Sequence, residues 1–203
     1  MSGNKMNKAE EMKELALKYL SENYNDTFTA LGYSDGDWAY DYSSVNFTSD
    51  KYSESVEVRI YEENGNYSFK DNYFKLTMRE DAEKYFKTVS SKYGYSTEVK
   101  VRFVSPEIPG NIANNATFAE YVATEQCNVE VYFITASDFA ESDVKAILAD
   151  IGTARIMGFF RFVVTNDADL LRQYSIGEIV NQKQESVLKK QSFMINNSFE
   201  VIE

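Results

Sequence analysis

The sequence contains no histidine and a single cysteine, Cys127. Without histidine there are no imidazole metal ligands, no Ser-His-Asp or Cys-His nucleophile, and no side chain that ordinarily changes charge near neutral pH. One cysteine excludes an internal disulfide. Cys127 opens an apolar stretch, where a buried, inert thiol is expected rather than a nucleophile. Glycine (9 residues), proline (2) and tryptophan (1) are also scarce. No G-x-G-x-x-G, no G-x-x-x-x-G-K-[ST] and no G-x-S-x-G string occurs, which excludes the common phosphate loops and the serine-hydrolase elbow. No apolar run has the length of a membrane span. Residues 1–25 read as charged helix rather than as a secretory leader, and Met1-Ser2-Gly3 is consistent with a cloning remnant ahead of a trimmed one.

What is present is a 203-residue chain with 43% hydrophobic residues, 15 tyrosines and 14 phenylalanines. At this length folding buries roughly 70% of the unfolded surface, so a core needs neither disulfide nor metal. Tyr and Phe suit pleated, half-buried sheet surfaces. Lys and Arg number 21 against 32 Asp and Glu, a formal charge of −11. Polyanions are repelled by such a chain, so neither nucleic acid nor an anionic headgroup layer is an expected partner, although a small basic patch is compatible with it.

Periodicity predicts an amphipathic helix over residues 7–24, with Met12, Leu15, Ala16, Tyr19 and Leu20 on one face. Residues 26–75 switch to period two and read as a meander of short antiparallel strands, with Asn64-Gly65 as a type I′ hairpin turn. Thr77-Met78-Arg79-Glu80 matches a capping box. It opens a helix with the stripe Ala82, Tyr85, Phe86, Val89 and Tyr93, closed by Gly94, and Val99 to Phe103 follow as a strand. The segment 106–110 holds both prolines and is the expected boundary between an N-terminal half, 5–105, and a C-terminal half, 111–203. In the second half Thr117-Phe118-Ala119-Glu120 is another capping box. Val129 to Ile134 reads as a central strand. Asp138 with Glu141 starts a helix that Gly152 ends, and Ile156 to Val164 is the strand expected to be most buried. A capped helix from Asn166 through Tyr174, helical turns over Ser175 to Gln184, and a hairpin across Asn196-Asn197 complete the chain.

Candidate chemistry is thin. Asp35, Asp37 and Asp41 suggest Ca²⁺, but the EF-hand positions that need Gly and Glu hold Tyr40 and Asn46, so the match fails. Ser142-x-x-Lys145 and Ser186-x-x-Lys189 have the spacing of one hydrolase class without its companion motifs. No metal or cofactor is called for. The residues singled out for ligand binding are Trp38, Tyr40 and Tyr42, which alternate along a predicted strand, with Asp37 and Asp41 beside them. Exposed, they form a protein- or sugar-stacking strip; buried, they are core against the first helix, which is the favoured alternative.

The order of a Lys-rich helix, a Tyr-rich meander and Asp71-Asn72-Tyr73-Phe74 running into Glu80-Asp81-Ala82-Glu83-Lys84-Tyr85-Phe86 resembles uncharacterised secreted or lipid-anchored proteins of Gram-positive gut bacteria, over roughly the first hundred residues. The resemblance implies a cell-surface location and brings no activity or catalytic residues. The first half is also similar to cystatins in element order, a helix wrapped by an antiparallel sheet. The expectation is therefore an α+β protein with antiparallel-rich sheets packed on amphipathic helices; a parallel doubly wound sheet is the alternative for the second half, where helix and strand alternate. Its expected function is non-catalytic binding of a protein or glycan partner outside the cell. A carboxylate-dependent carbohydrate-active enzyme and a cytoplasmic structural protein are the alternatives.

Overall fold

The structure, a computed structural model, describes residues 7–36, 40–105, 107–110, 112–166 and 187–202. The helix and turns expected between Asp167 and Gln184 lie outside the described residues, as do Asp37 and Trp38. The protein is α+β, and its chain divides into two compact units: residues 1–77 with 106–115, and residues 78–105 with 116–203. The expected boundary at the proline segment thus differs from the observed division. Residues 106–115 belong to the first unit, and the chain changes unit at Thr77/Met78 as well as on either side of that segment.

In the first unit, helix α1 (Lys8–Asn23) is capped by Asn7, whose side chain accepts the amide of Ala9. Its buried residues Met12, Ala16 and Leu20 pack on a four-stranded antiparallel meander, β1 (Phe28–Ser34), β2 (Ser43–Ser49), β3 (Val56–Glu63) and β4 (Asn66–Asp71), in spatial order β1-β2-β3-β4. Alternation decides the faces: Val45, Phe47, Val56, Val58 and Ile60 are buried against the helix, whereas Glu57, Arg59 and Tyr61 are half-buried on the opposite face. Asn64 and Gly65, at φ 53° and 77°, make the turn between β3 and β4, the positive dihedrals that a type I′ hairpin demands. A helical turn, α2 (Phe74–Thr77), ends the unit's main stretch.

In the second unit, α3 (Arg79–Ser91) leads into β5 (Glu98–Phe103), α4 (Phe118–Ala123), β6 (Asn128–Thr135), α5 (Glu141–Thr153), β7 (Met157–Thr165), β8 (Val187–Ile195) and β9 (Val201–Ile202). The five strands lie in the order β5-β6-β7-β8-β9, with β6 and β7 parallel and the other pairs antiparallel. The parallel pair is one β-α-β crossover through α5 in an otherwise antiparallel sheet. It realises locally the parallel pairing held as the alternative for this half, without becoming a doubly wound sheet. The core is centred on phenylalanines, stacked, tilted and edge-on to one another. Phe133 lies 5.0 Å from Phe162, and Phe86 lies 6.1 Å from both Phe133 and Phe160.

Several local expectations are corrected. The most buried strand is β6, every residue of which from Val129 to Thr135 is buried, whereas Phe159 of β7 is exposed. Thr77 caps nothing: it belongs to α2 and its hydroxyl donates back to the Phe74 carbonyl, so α3 begins after Met78 with no side-chain cap. The box at Thr117 does form, with Glu120 accepting the Thr117 amide and Thr117 accepting the Glu120 amide. Asp138 does not cap α5. Its N-cap is Ala140, whose amide donates to the Tyr95 hydroxyl at 2.9 Å, while that hydroxyl donates to Asp143 at 2.8 Å. Gly152 lies inside α5 rather than ending it, because a Cβ there would come within 2.8 Å of the Phe199 carbonyl oxygen. Gly94, at φ 83°, follows α3 as expected.

Candidate functional site

The outward face of the first sheet carries the only expected site residues that the structure brings together. β2 begins at Ser43, so the predicted aromatic strand is not regular there; Tyr40 makes an isolated bridge and Tyr42 enters the strand. Their rings lie 5.4 Å apart, and Tyr42 is also 5.4 Å from Tyr61. Neither ring is buried against α1. Tyr40 is 58% exposed, Tyr42 is half-buried on the opposite side of the sheet, and Asp41 between them is exposed.

Asp35 ties the end of β1 to the start of β2. Its Oδ1 accepts the Tyr33 hydroxyl at 2.7 Å, the Lys8 ammonium at 3.0 Å and the Ser43 hydroxyl at 3.1 Å. These hydrogen bonds, that of Tyr33 foremost, draw the Asp35 carboxyl down to about 2. Gly36 is required beside it, since a Cβ would meet the Tyr42 carbonyl oxygen at 2.9 Å. The Asp35 carboxylate, at which the EF-hand match fails, is thus engaged by Tyr33, Lys8 and Ser43.

Residues that the sequence reading did not single out extend the strip. The Arg59 guanidinium lies 4.8 Å over the Tyr42 ring and the Lys70 ammonium 5.3 Å over Tyr61, distances at which a cation is attracted by the ring face. Arg59 pairs with Glu57 at 3.0 Å and with Glu107 at 3.4 Å. Glu107 comes from the proline segment. It accepts the Tyr61 hydroxyl at 2.7 Å and pairs with Lys70 at 2.6 Å. Burial alone would raise the Glu107 carboxyl, but Lys70, Tyr61 and Arg59 hold it below its ordinary value. Tyr61, half-buried beside that carboxylate, is pushed up to about 12. Arg59 and Tyr61 were legible as outward positions of β3, alternating with Val56, Val58 and Ile60. Glu107 was not, because no local pattern ties a loop residue to a strand 46 positions away.

Burial raises the proton affinity of the carboxylates of Asp71 and Glu83. Burial pushes Asp71 up, against hydrogen bonds donated by Tyr19 at 2.7 Å, Tyr24 at 2.9 Å and the Tyr73 amide at 2.8 Å. Burial likewise raises Glu83, whose carboxylate accepts the Val101 amide at 3.3 Å on the free edge of β5. An open groove of about 430 Å³ between α3 and α4 is floored by Tyr85 and Phe118 and has Asp81 as its one acidic lining residue. Cys127 is buried, and that burial raises its thiol. Among the described residues no cluster of three metal-ligating side chains occurs, and no helix is long and apolar enough to cross a membrane. Comparison with protein families, with curated proteins and with solved structures finds no match to this chain.

Proposed function

We propose that the protein is a non-catalytic binding module at the bacterial cell surface that receives a protein or glycan partner on the outward face of its first sheet. The observation that carries this reading is Tyr40, a largely exposed ring that lies tilted against Tyr42 at 5.4 Å, beside strand ends that Asp35 ties together. A tyrosine mounted this way supplies contact area while losing little side-chain freedom on binding. The charges around it are balanced, Arg59 and Lys70 against Glu57 and Glu107, which suits a neutral, hydroxyl-rich ligand or a mixed polar surface better than a highly charged one. The non-catalytic part of the reading rests on the carboxylates of raised proton affinity. Asp71 accepts hydrogen bonds from two phenols and a backbone amide, and Glu83 from a backbone amide, the engagement of structural carboxylates rather than of the free acid and base a glycosidase needs. The surface location follows the resemblance to secreted and lipid-anchored proteins.

The test is a glycan-array and protein-partner screen run in parallel on the native chain and on Tyr40→Ala. Binding should weaken by about tenfold or more, while the melting temperature moves by less than about 2 °C, because an exposed ring contributes little to folding. Equal binding by the variant sinks the site. For the location, a leader ending in a lipobox cysteine in the gene upstream of Met1 supports the surface reading, and its absence counts against it.

A further inference from the structure

On the second sheet, the face opposite the phenylalanine core is organised in rows set by strand register. One row crosses all five strands: Arg102 pairs with Glu130, Glu130 with Phe159, Phe159 with Met194, and Met194 with Ile202. Phe159 is 45% exposed, Ile202 is 43% exposed, and Met194 between them is half-buried. The next row runs Lys100, Tyr132, Arg161, Ser192. Lys190, exposed, follows beside Val163. Towards β5 and the far ends of β6 and β7 this face is closed, with Glu130, Tyr132, Ile134 and Val163 buried; the part that stays accessible is the stripe of Phe159, Met194 and Ile202, and cations stand along it.

Among the described residues the charge on this face is opposite in sign to that of the chain. Arg102, Arg161, Lys100 and Lys190 share it with Glu130 and Glu98. Glu130, with a side chain 4% exposed, is engaged by Arg102 on one oxygen and by Arg161 on the other. Glu98, at the far end of β5, pairs with Lys87. The remaining positive charge is crowded. Burial, followed by repulsion from Arg102, lowers the proton affinity of Arg161, and burial followed by repulsion from Arg161 lowers that of Lys190. The Arg161 guanidinium also lies 5.1 Å from the Tyr132 ring and 5.9 Å from Phe159, which fixes it at the border of the apolar stripe. Aromatic, Met and Arg side chains are the types enriched where proteins dock, and cations in excess on an acidic molecule focus attraction on one patch.

We infer that this face is a docking surface for an acidic protein segment bearing apolar side chains, its apolar groups seated on Phe159, Met194 and Ile202 and its carboxylates on Arg102, Arg161 and Lys190. A second copy of the chain is disfavoured in a two-fold contact, which would bring the same cations against one another. An anionic membrane is disfavoured by the net charge of −11, which a headgroup layer repels beyond the patch.

The experiment is selection of a random displayed peptide library on the full chain, followed by titration of the selected peptides on the native protein, on Phe159→Ser and on Lys190→Glu. A consensus that joins Asp or Glu to Phe, Leu or Ile is expected. Affinity should fall about tenfold for Phe159→Ser and several-fold for Lys190→Glu, and should weaken as salt is raised. Lys190 is exposed, so its variant keeps the test alive where Phe159→Ser disturbs the sheet. A neutral or basic consensus, or affinities indifferent to both substitutions, overturns the inference. So does binding to vesicles containing phosphatidylglycerol with no peptide selected. Failure of the Tyr40→Ala test leaves these outcomes unchanged, since Tyr40 lies in the other unit.

Discussion

The first unit's core mixes phenylalanines with phenols that are tied to carboxylates; the second unit's core is centred on phenylalanines, and its buried phenol Tyr121 is tied to Ser105 and the Gln126 carbonyl instead. Tyr24 and Tyr73 sit 4.6 Å apart and meet Phe28 edge-on, and each phenol is tied to a carboxylate, Tyr24 to Asp71 and Tyr73 to Asp26. The second unit stacks Phe86, Phe133, Phe139, Phe160, Phe162 and Phe193 with no polar atom to satisfy. It keeps its buried carboxylate, Glu130, on the opposite face between two arginines. A buried phenol that loses water needs an acceptor, so a tyrosine core draws acids inward, and the acids then depend on the phenols. In a chain without histidine, phenol–carboxylate pairs recur as polar ties: Tyr33 with Asp35, Tyr61 with Glu107 and, in the second unit, Tyr95 with Asp143. The units should therefore fail differently, the dry core through shape and the wet one through lost partners and through pH.

The largest effect is expected in the second unit at Gly158, which adopts φ 135° and pairs with Val129 of β6. A Cβ there would stand 1.7 Å from the Val129 carbonyl oxygen, and both objects are backbone, so neither yields cheaply. Gly158→Ala should cost more than about 4 kcal/mol. Hydrogen exchange at the β6 and β7 amides is the measurement; retained protection there would show that the parallel pair tolerates a separation this geometry forbids.

The matching perturbation of the first unit is Asp71→Ala. It strands the Tyr19 and Tyr24 hydroxyls and the Tyr73 amide, at a cost of about 3 kcal/mol in denaturant unfolding. Adding Tyr19→Phe and Tyr24→Phe should recover at least half of that loss, because it removes both stranded phenols and leaves the Tyr73 amide as the group still lacking its acceptor. No recovery would mean that the pocket's shape, not its hydrogen bonding, sets the cost, and the contrast between the two cores would collapse. Asp71→Asn sharpens the contrast through pH. The folded carboxyl is raised above its unfolded value, so the folded state binds its proton the more tightly. The stability gained in this way is fully present below about pH 4 and is lost as pH rises through the folded value. Asp71→Asn should therefore destabilise more at pH 4 than at pH 7, with Asp26 and Glu107, both lowered, common to the two proteins. Thermal melts at both pH values decide it; the opposite order would mean that the phenols outweigh burial and hold Asp71 ionised.

The same division explains what was legible in the sequence. Features carried by near neighbours were: the α1 stripe, the Asn64-Gly65 turn, Gly94, and the alternation that makes β3 two-faced. Features requiring a partner from far along the chain were not. Asp71 looks like a turn residue after a strand until α1 supplies two phenols 47 and 52 positions away. The start of α5 looked like a job for Asp138 until Tyr95 took it. Glu130 lies in an apolar strand whose charge makes sense only once β5 and β7 bring arginines to either side. Of the proposed strip, Tyr40 and Tyr42, with Asp41 between them, were visible as an alternating pattern, but Arg59, Lys70 and Glu107 became part of it only through strand pairing and the return of the proline segment.

The smallest effects are expected where one motif occurs twice. Thr117 and Thr77 each stand three residues before a glutamate, Glu120 and Glu80, and by local rules both open a helix. Thr117→Ala should cost about 1 kcal/mol, since both reciprocal bonds of the box are made and a lost cap is worth that much. Thr77→Ala should cost less than about 0.5 kcal/mol, as an exposed residue away from any cap does. The difference arises because Phe74 and Leu76 are both buried. Their burial winds residues 74–77 into a helical turn of their own, and a residue already in helical geometry cannot adopt the extended conformation an N-cap needs. Thr77→Asp extends the comparison: at a genuine cap Asp serves as well as Thr or better, so no gain is expected at position 77, whereas Thr117→Asp should be nearly neutral. A loss for Thr77→Ala equal to that of Thr117→Ala would show that the box at position 77 forms in solution and that apolar burial at Phe74 and Leu76 does not override it.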